Sequence, residues 1–175
     1  GTTTRVSVAN GGGQASGRSI SPVLSADGRF VAFDSLDSNL VPGDTNATSD
    51  VFVHDRATGE TTIISVATDG TQGNKPSYNP AISADGNIVL FETYATTIVA
   101  GDTNGQTDVF VHNRATGETT RASVAVDGAG GNGRSYVSKV SADGRHVAFG
   151  SVASNLVPGD TNANGEYDVY VRDLG

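Results

Sequence analysis

The sequence predicts an all-β fold of small four-stranded antiparallel blades, three to a chain. Three observations lead there. A motif set recurs at constant spacing: Ser25-Ala26-Asp27-Gly28 returns at Ser83–Gly86 and Ser141–Gly144, a step of 58 residues. Apolar and polar residues alternate in short runs such as Asp-Val-Phe-Val-His-Asp. The composition is rich in Gly, with 23, and in Thr, Ser, Asn, Asp and Val, which suits short strands and tight turns rather than helices.

Each unit reads as four strands. Ser21–Leu24 runs into an Asp-Gly turn and is followed at once by Arg29–Ser35, a hairpin pattern. A long polar loop over 36–49 leads to Asp50–Arg56. Ala57-Thr58-Gly59-Glu60 then turns the chain into Thr61–Ala67, a second hairpin. A glycine-rich loop over 68–75 opens the next unit. The repeat starts again with the fourth strand, because Thr3-Thr4-Arg5-Val6-Ser7-Val8 matches Thr61–Val66 and Thr119–Val124. One repeat domain, 1–175, therefore divides into units of about 3–60, 61–118 and 119–175. Residues 2–8 form a fourth-type strand with no third strand before it, and Asp168–Asp173 a third-type strand with no fourth after it.

A four-stranded sheet of this size cannot bury both faces alone, so units must stack. Radial stacking gives a β-propeller; a sandwich or a prism of three sheets is the alternative. Rings hold ~4–8 blades. Strand 2–8 is thus expected to close between chains, giving a six-bladed homodimer or, by the same logic, a nine-bladed trimer.

The runs "SADGRFVAF" and "DVFVHDRATGETT" resemble the WD40-like PD40 repeats of TolB-type propellers, over nearly the whole chain and three times. Ala26, Ala84 and Ala142 stand where that pattern favours proline, and there is no tryptophan. The resemblance implies a six-bladed ring with a binding or scaffold role, extracellular or periplasmic, any leader lying outside this sequence.

The net charge is −8, from 19 acidic and 11 basic residues. Such a chain repels phosphate backbones and anionic lipid, which argues against nucleic acid and membrane partners. Without cysteine there is no disulfide, zinc thiolate or thiol nucleophile.

In a meander, the 36–49 loop and the glycine-rich loop emerge on one face, and the two tight turns on the other. That first face is where a ligand is expected. Asp160, Asn162, Asn164 and Asp168 surround Gly165 at alternate positions, a spacing that suits calcium, which takes ~6–8 oxygen ligands. The shorter loops offer Asp44, Asn46 and Asp50, and Asp102, Asn104 and Asp108. The competing structural reading is Asx-turns and a strand cap. Tyr78 and Tyr136 share a column beside the glycine-rich loop and could stack on a sugar. His54 and His112 share another column, but no serine–histidine–carboxylate set is apparent. The expected function is non-enzymatic binding or scaffolding by a propeller with calcium-stabilised loops and a glycan or protein ligand. The alternatives are a lectin-like carbohydrate-binding propeller, and an excised or engineered half-ring that self-assembles with no ligand of its own.

Overall fold

A computed structural model describes residues 1–161 and 165–175. Eleven strands are assigned among them: β1 Ser19–Leu24, β2 Phe30–Ser35, β3 Asp50–Asp55, β4 Glu60–Ile63, β5 Ser77–Ile82, β6 Ile88–Thr93, β7 Asp108–Asn113, β8 Glu118–Arg121, β9 Ser135–Val140, β10 His146–Ser151 and β11 Asp168–Asp173. They form antiparallel meanders in the orders β1-β2-β3-β4, β5-β6-β7-β8 and β9-β10-β11.

The sheets stack face to face, and the alternation along each strand decides which neighbour a side chain meets. Ala32, Val51 and Val53 point from the first sheet to the second. They bury against Val89, Phe91 and Phe110 in one core cluster. One step on, Leu90, Val109 and Val111 bury against Val147, Phe149 and Leu156. Phe33 and Phe52, on the far face of the first sheet, are covered by Ala15, Leu40 and Val41.

The serine of each Ser-Ala-Asp-Gly turn caps it. Ser25, Ser83 and Ser141 each donate to the aspartate two residues on, at 2.5–2.6 Å. The turns also join one sheet to the next: Ala26 N–H donates to Ala84 O at 2.9 Å, and Ala84 N–H to Ala142 O at 3.0 Å.

One expected strand is shorter, and another has no strand partner among the described residues. The fourth strand, expected over Thr61–Ala67, stops at Ile63. Beyond it one main-chain bond remains, Ile64 N–H to Val51 O at 2.7 Å, and the Ser65 hydroxyl takes the next place, accepting Val51 N–H at 3.1 Å and donating to Asp50 Oδ1 at 2.6 Å. The expected strand 2–8 is not formed within the chain. Val8 makes a single bridge to Gln14, and Thr2–Arg5 are exposed. A strand needs a neighbour for its N–H and C=O groups, and here none is assigned to these residues.

Candidate functional site

The two expected faces are present. On one, the polar loop and the glycine-rich loop of the first two units are tied together. Asn46 Nδ2 donates to Gly73 O at 3.0 Å, and Asn104 Nδ2 to Gly131 O at 2.8 Å. Thr45 N–H and its hydroxyl both donate to Gln72. Asn74 and Asn132 reach the following unit's loop at Thr96 and Ser154. On the other face Arg56 and Arg114 donate to Gly28 O and Gly86 O, linking the two tight turns of a sheet.

The carboxylates that lead the third strands, Asp50 and Asp108, are committed to protein donors. Asp50 is fully buried; Oδ1 accepts the Ser65 hydroxyl and Oδ2 accepts Asn46 Nδ2 at 2.7 Å. Asn46 Oδ1 meanwhile accepts Thr48 N–H. Its amide therefore offers Asp50 a hydrogen, not an oxygen. Asp108, Asn104 and Gln106 repeat the arrangement. In the second loop a cation is already present: Arg121 Nη1 lies 3.3 Å from both Asp102 and Asp108. Asp44 accepts from Gln72 Nε2 at 3.3 Å. The donor sets of these two loops thus do not fit the expected calcium cage, which needs converging oxygens. No group of three or more His, Cys, Asp or Glu placed to hold a metal occurs among the described residues. In the third loop Asp160 accepts the Tyr170 hydroxyl at 2.7 Å, while Asn162 and Asn164 lie outside the described residues.

Burial pushes the Asp50 carboxyl up to about 6, with the nearby Asp44 charge adding to it. Burial moves Asp34, Asp44, Asp102 and Asp108 in the same direction. A carboxyl raised in the fold carries a penalty while it is ionised in both states. The penalty shrinks as pH falls through the folded value and vanishes below the unfolded one, 3.8. For Asp50 the relief is on the order of 2–3 kcal/mol. Asp55 works the other way. Its bidentate partner Arg29 holds it well below its usual value, so its contribution is lost only as pH drops under about 4. Thermal unfolding is therefore expected several degrees higher near pH 5 than at pH 8, and Asp50→Asn should flatten that slope. A melting temperature that rises steadily from pH 5 to 8 would contradict this assignment.

The tyrosines gather near the inner strands. Tyr78 is half-buried opposite Glu92 on β6, and its hydroxyl is shifted upward by burial and by Asp34. Tyr136 packs edge-on to Tyr167, ring centres 4.9 Å apart. Its ring occupies the space that a side chain at Gly150 would need, since a Cβ there would lie 2.6 Å from Tyr136 Cζ. In the other sheets Asp34 and Glu92 hold this position. Tyr94 and Tyr167 are exposed. Tyr78 and Tyr136 occupy equivalent positions, opposite Glu92 and Gly150, and the motif spacing gives no role to Arg121 or Asp34. The Arg5–Ile63–Arg121 column was a visible signal, because only the loops with an acidic pair and no arginine in reach could be open to a metal.

His54 and His112 are buried in a structural role. Nδ1 of each meets a threonine hydroxyl, Thr61 or Thr119, at 2.9 and 2.8 Å. Those hydroxyls donate onward to Val8 O and Val66 O, so the imidazole Nδ1 carries the proton and donates.

No family model and no curated protein matches the chain. Solved structures do. TolB from Acinetobacter baumannii is 18% identical, with a TM-score of 0.51, over 94% of this chain and 31% of that one. The putative TolB from Agrobacterium tumefaciens is 16% identical at 0.50, over 86% and 44%. A structure from a study of two prolyl endopeptidases is 18% identical at 0.51, over 91% and 21%. The chain spans less than half the length of each. The three stacked sheets are β-propeller blades, and the fold is that of the TolB-type propellers.

Proposed function

We propose that this chain is a non-enzymatic binding or scaffold module that presents its loop face to a ligand, in the extracellular or periplasmic setting its family resemblance implies. The observation that carries the reading is the bracing of that face. Each polar loop is fastened to a glycine-rich loop by asparagine amides, which braces that surface. Binding residues lie disproportionately on loops positioned by a rigid scaffold. The residues that could have served chemistry have other tasks: the turn serines cap aspartates and the strand histidines hold threonines.

A glycan is the second reading, favoured by the exposed aromatic rings of Tyr94 and Tyr167 beside Tyr78 and Tyr136. An oligosaccharide array followed by amide-shift mapping tests both. Shifts confined to the loops over 36–49, 68–75, 94–106 and 126–133 are expected. For a glycan, Tyr94→Ala and Tyr167→Ala should each weaken binding about tenfold, the loss of one stacking contact of roughly 1.4 kcal/mol. Shifts centred on the opposite turns, at Asp27 or Gly59, would remove the loop face from the reading.

A further inference from the structure

The junction between the second and third blades is open at a place where the junction between the first two is plugged. Neighbouring blades touch through their inner strands, β5 against β1, β2 and β3, then β9 against β5, β6 and β7. At the tight-turn end a wedge is left between them. At the first junction Arg114 fills it. Its Nη1 donates to Gly86 O at 2.8 Å, and its guanidinium lies over the Phe30 ring of the first blade, 4.3 Å from the ring centre. The side chain is half-buried. Burial disfavours its charge; Asp55 offsets this, Arg29 adds to it, and Glu60 and Asp85 offset it.

At the second junction Leu174 stands in the column of Arg114, and it has no group to offer Gly144 O. Ile88 stands over Gly144 where Phe30 stands over Gly86, and it is the smaller of the two. A cavity of about 470 Å³ results, far more than the ~30 Å³ share of one water. Asp85, Asn113, Glu118, Asp143, Arg145 and Leu174 line it. We propose that this cavity binds a guanidinium group, the arginine side chain of a peptide partner, in the place that Arg114 takes at the first junction.

The backbone frame is the same at both junctions, so the acceptor is already in position. Leu174 N–H donates to Arg145 O at 2.8 Å, as Arg114 N–H donates to Asn87 O at 2.8 Å. Gly86 and Gly144 are buried at the same point of the same turn, with φ of 77° and 75°. Each donates its N–H to the turn serine's carbonyl at 3.0 Å. The Gly144 carbonyl is therefore presented as the Gly86 carbonyl is. What the second junction lacks is the arginine side chain.

Charge favours the same occupant. Asp85, Glu118 and Asp143 stand in the columns of Asp27, Glu60 and Asp85. The Ser83 and Ser141 hydroxyls hold the Asp85 and Asp143 carboxyls below their usual value, so both are ionised at neutral pH. Two residues change together between the junctions. Arg29 grips Asp55 with two hydrogen bonds at the first, and at the second the pair is Asn87 and Asn113. The cation that competes with Arg114 at the first junction is thus gone. Three carboxylates against Arg145 leave the walls net negative. Ile88 and Val111 lie among these polar walls. A planar, weakly hydrated fork of five N–H donors suits acceptors on several sides of an apolar floor better than a compact ammonium does.

The cavity lies on the face opposite the polar and glycine-rich loops, so it does not depend on the loop face being a binding surface. Titration with Nα-acetyl-L-arginine amide, followed by amide shifts, tests it. The citrulline compound, of the same shape without the charge, and the lysine compound are the controls. Saturable shifts at Asn113, Glu118 and Gly144 are expected with arginine, weaker ones with lysine and none with citrulline. Leu174→Arg puts the arginine of the repeat into the cavity and should abolish binding, in a chain whose fold is checked by circular dichroism. Glu118→Gln, at an exposed position, should weaken binding up to about fivefold, the effect of an exposed charge pair. Arg114→Leu should open the first junction and add a second set of shifts at Glu60 and Gly86. No saturable shift with arginine, or an equal one with citrulline, would overturn the site. Equal affinity for lysine would overturn the choice of guanidinium. Binding that survives Leu174→Arg, or an affinity unchanged by Glu118→Gln, would place the ligand elsewhere. The absence of new shifts with Arg114→Leu would overturn the equivalence of the two junctions.

Discussion

Phe110→Ala is expected to cost about 3–5 kcal/mol of stability, the range for emptying a fully buried aromatic site. Phe110 is 0% exposed and stacks on Phe91, ring centres 5.6 Å apart, at the seam where the first two blades meet. Val51, Val53 and Ile64 from the neighbouring blade share that cluster. The cavity would therefore open between two sheets whose backbones are fixed by their own ladders, and collapse would be slight. Domains of this kind are stable by roughly 5–15 kcal/mol, so the loss is a large share of the total. Urea unfolding would show it as a lower midpoint. A change below about 1 kcal/mol would mean that the blades do not pack through this ring.

Ser65→Ala should cost about 2–4 kcal/mol, although it removes one atom. The hydroxyl accepts Val51 N–H and donates to Asp50. Its loss leaves a buried amide and a buried carboxylate each short of a partner, at ~1–3 kcal/mol apiece. The Asp50 carboxyl, already raised by burial, should move higher, and the fall in stability between pH 5 and 8 should steepen. Ser16→Ala, at an edge contact to Asp37, is the control and should change little. Equal effects at the two serines would show that the hydroxyl bridge does not carry the junction.

The blade could be read from the sequence because its signals are local. Ser-Ala-Asp-Gly and Ala-Thr-Gly-Glu fix two hairpins, and alternation in Asp50–Asp55 fixes which side chains turn inward. The shared face of the polar and glycine-rich loops follows from meander topology alone. The short fourth strand could not be read so, because Thr61–Ala67 has unbroken strand composition; only the structure shows the Ser65 hydroxyl taking over from the main chain. The loop carboxylates were hidden for a related reason. Asp-x-Asn spacing is the same whether the amide turns its oxygen or its nitrogen toward the aspartate. That choice is made by Gly73 O and Gly131 O, 27 residues away in each case. The cation at the second loop arrives from Arg121, on the fourth strand of the same blade.

The ladder of turn amides has a direction. The first two Ser-Ala-Asp-Gly turns donate forward, from Ala26 to Ala84 and from Ala84 to Ala142, so successive blades share one orientation and their loops emerge on one side. A ligand with a repeating structure would meet the same contact several times over. Once the first contact forms, each further one is made at an effective concentration set by tether length, in the millimolar range for short spans. Such a surface holds a polymer far more tightly than it holds the polymer's single unit. Selectivity on such a surface would lie in the spacing between neighbouring copies of a weak site.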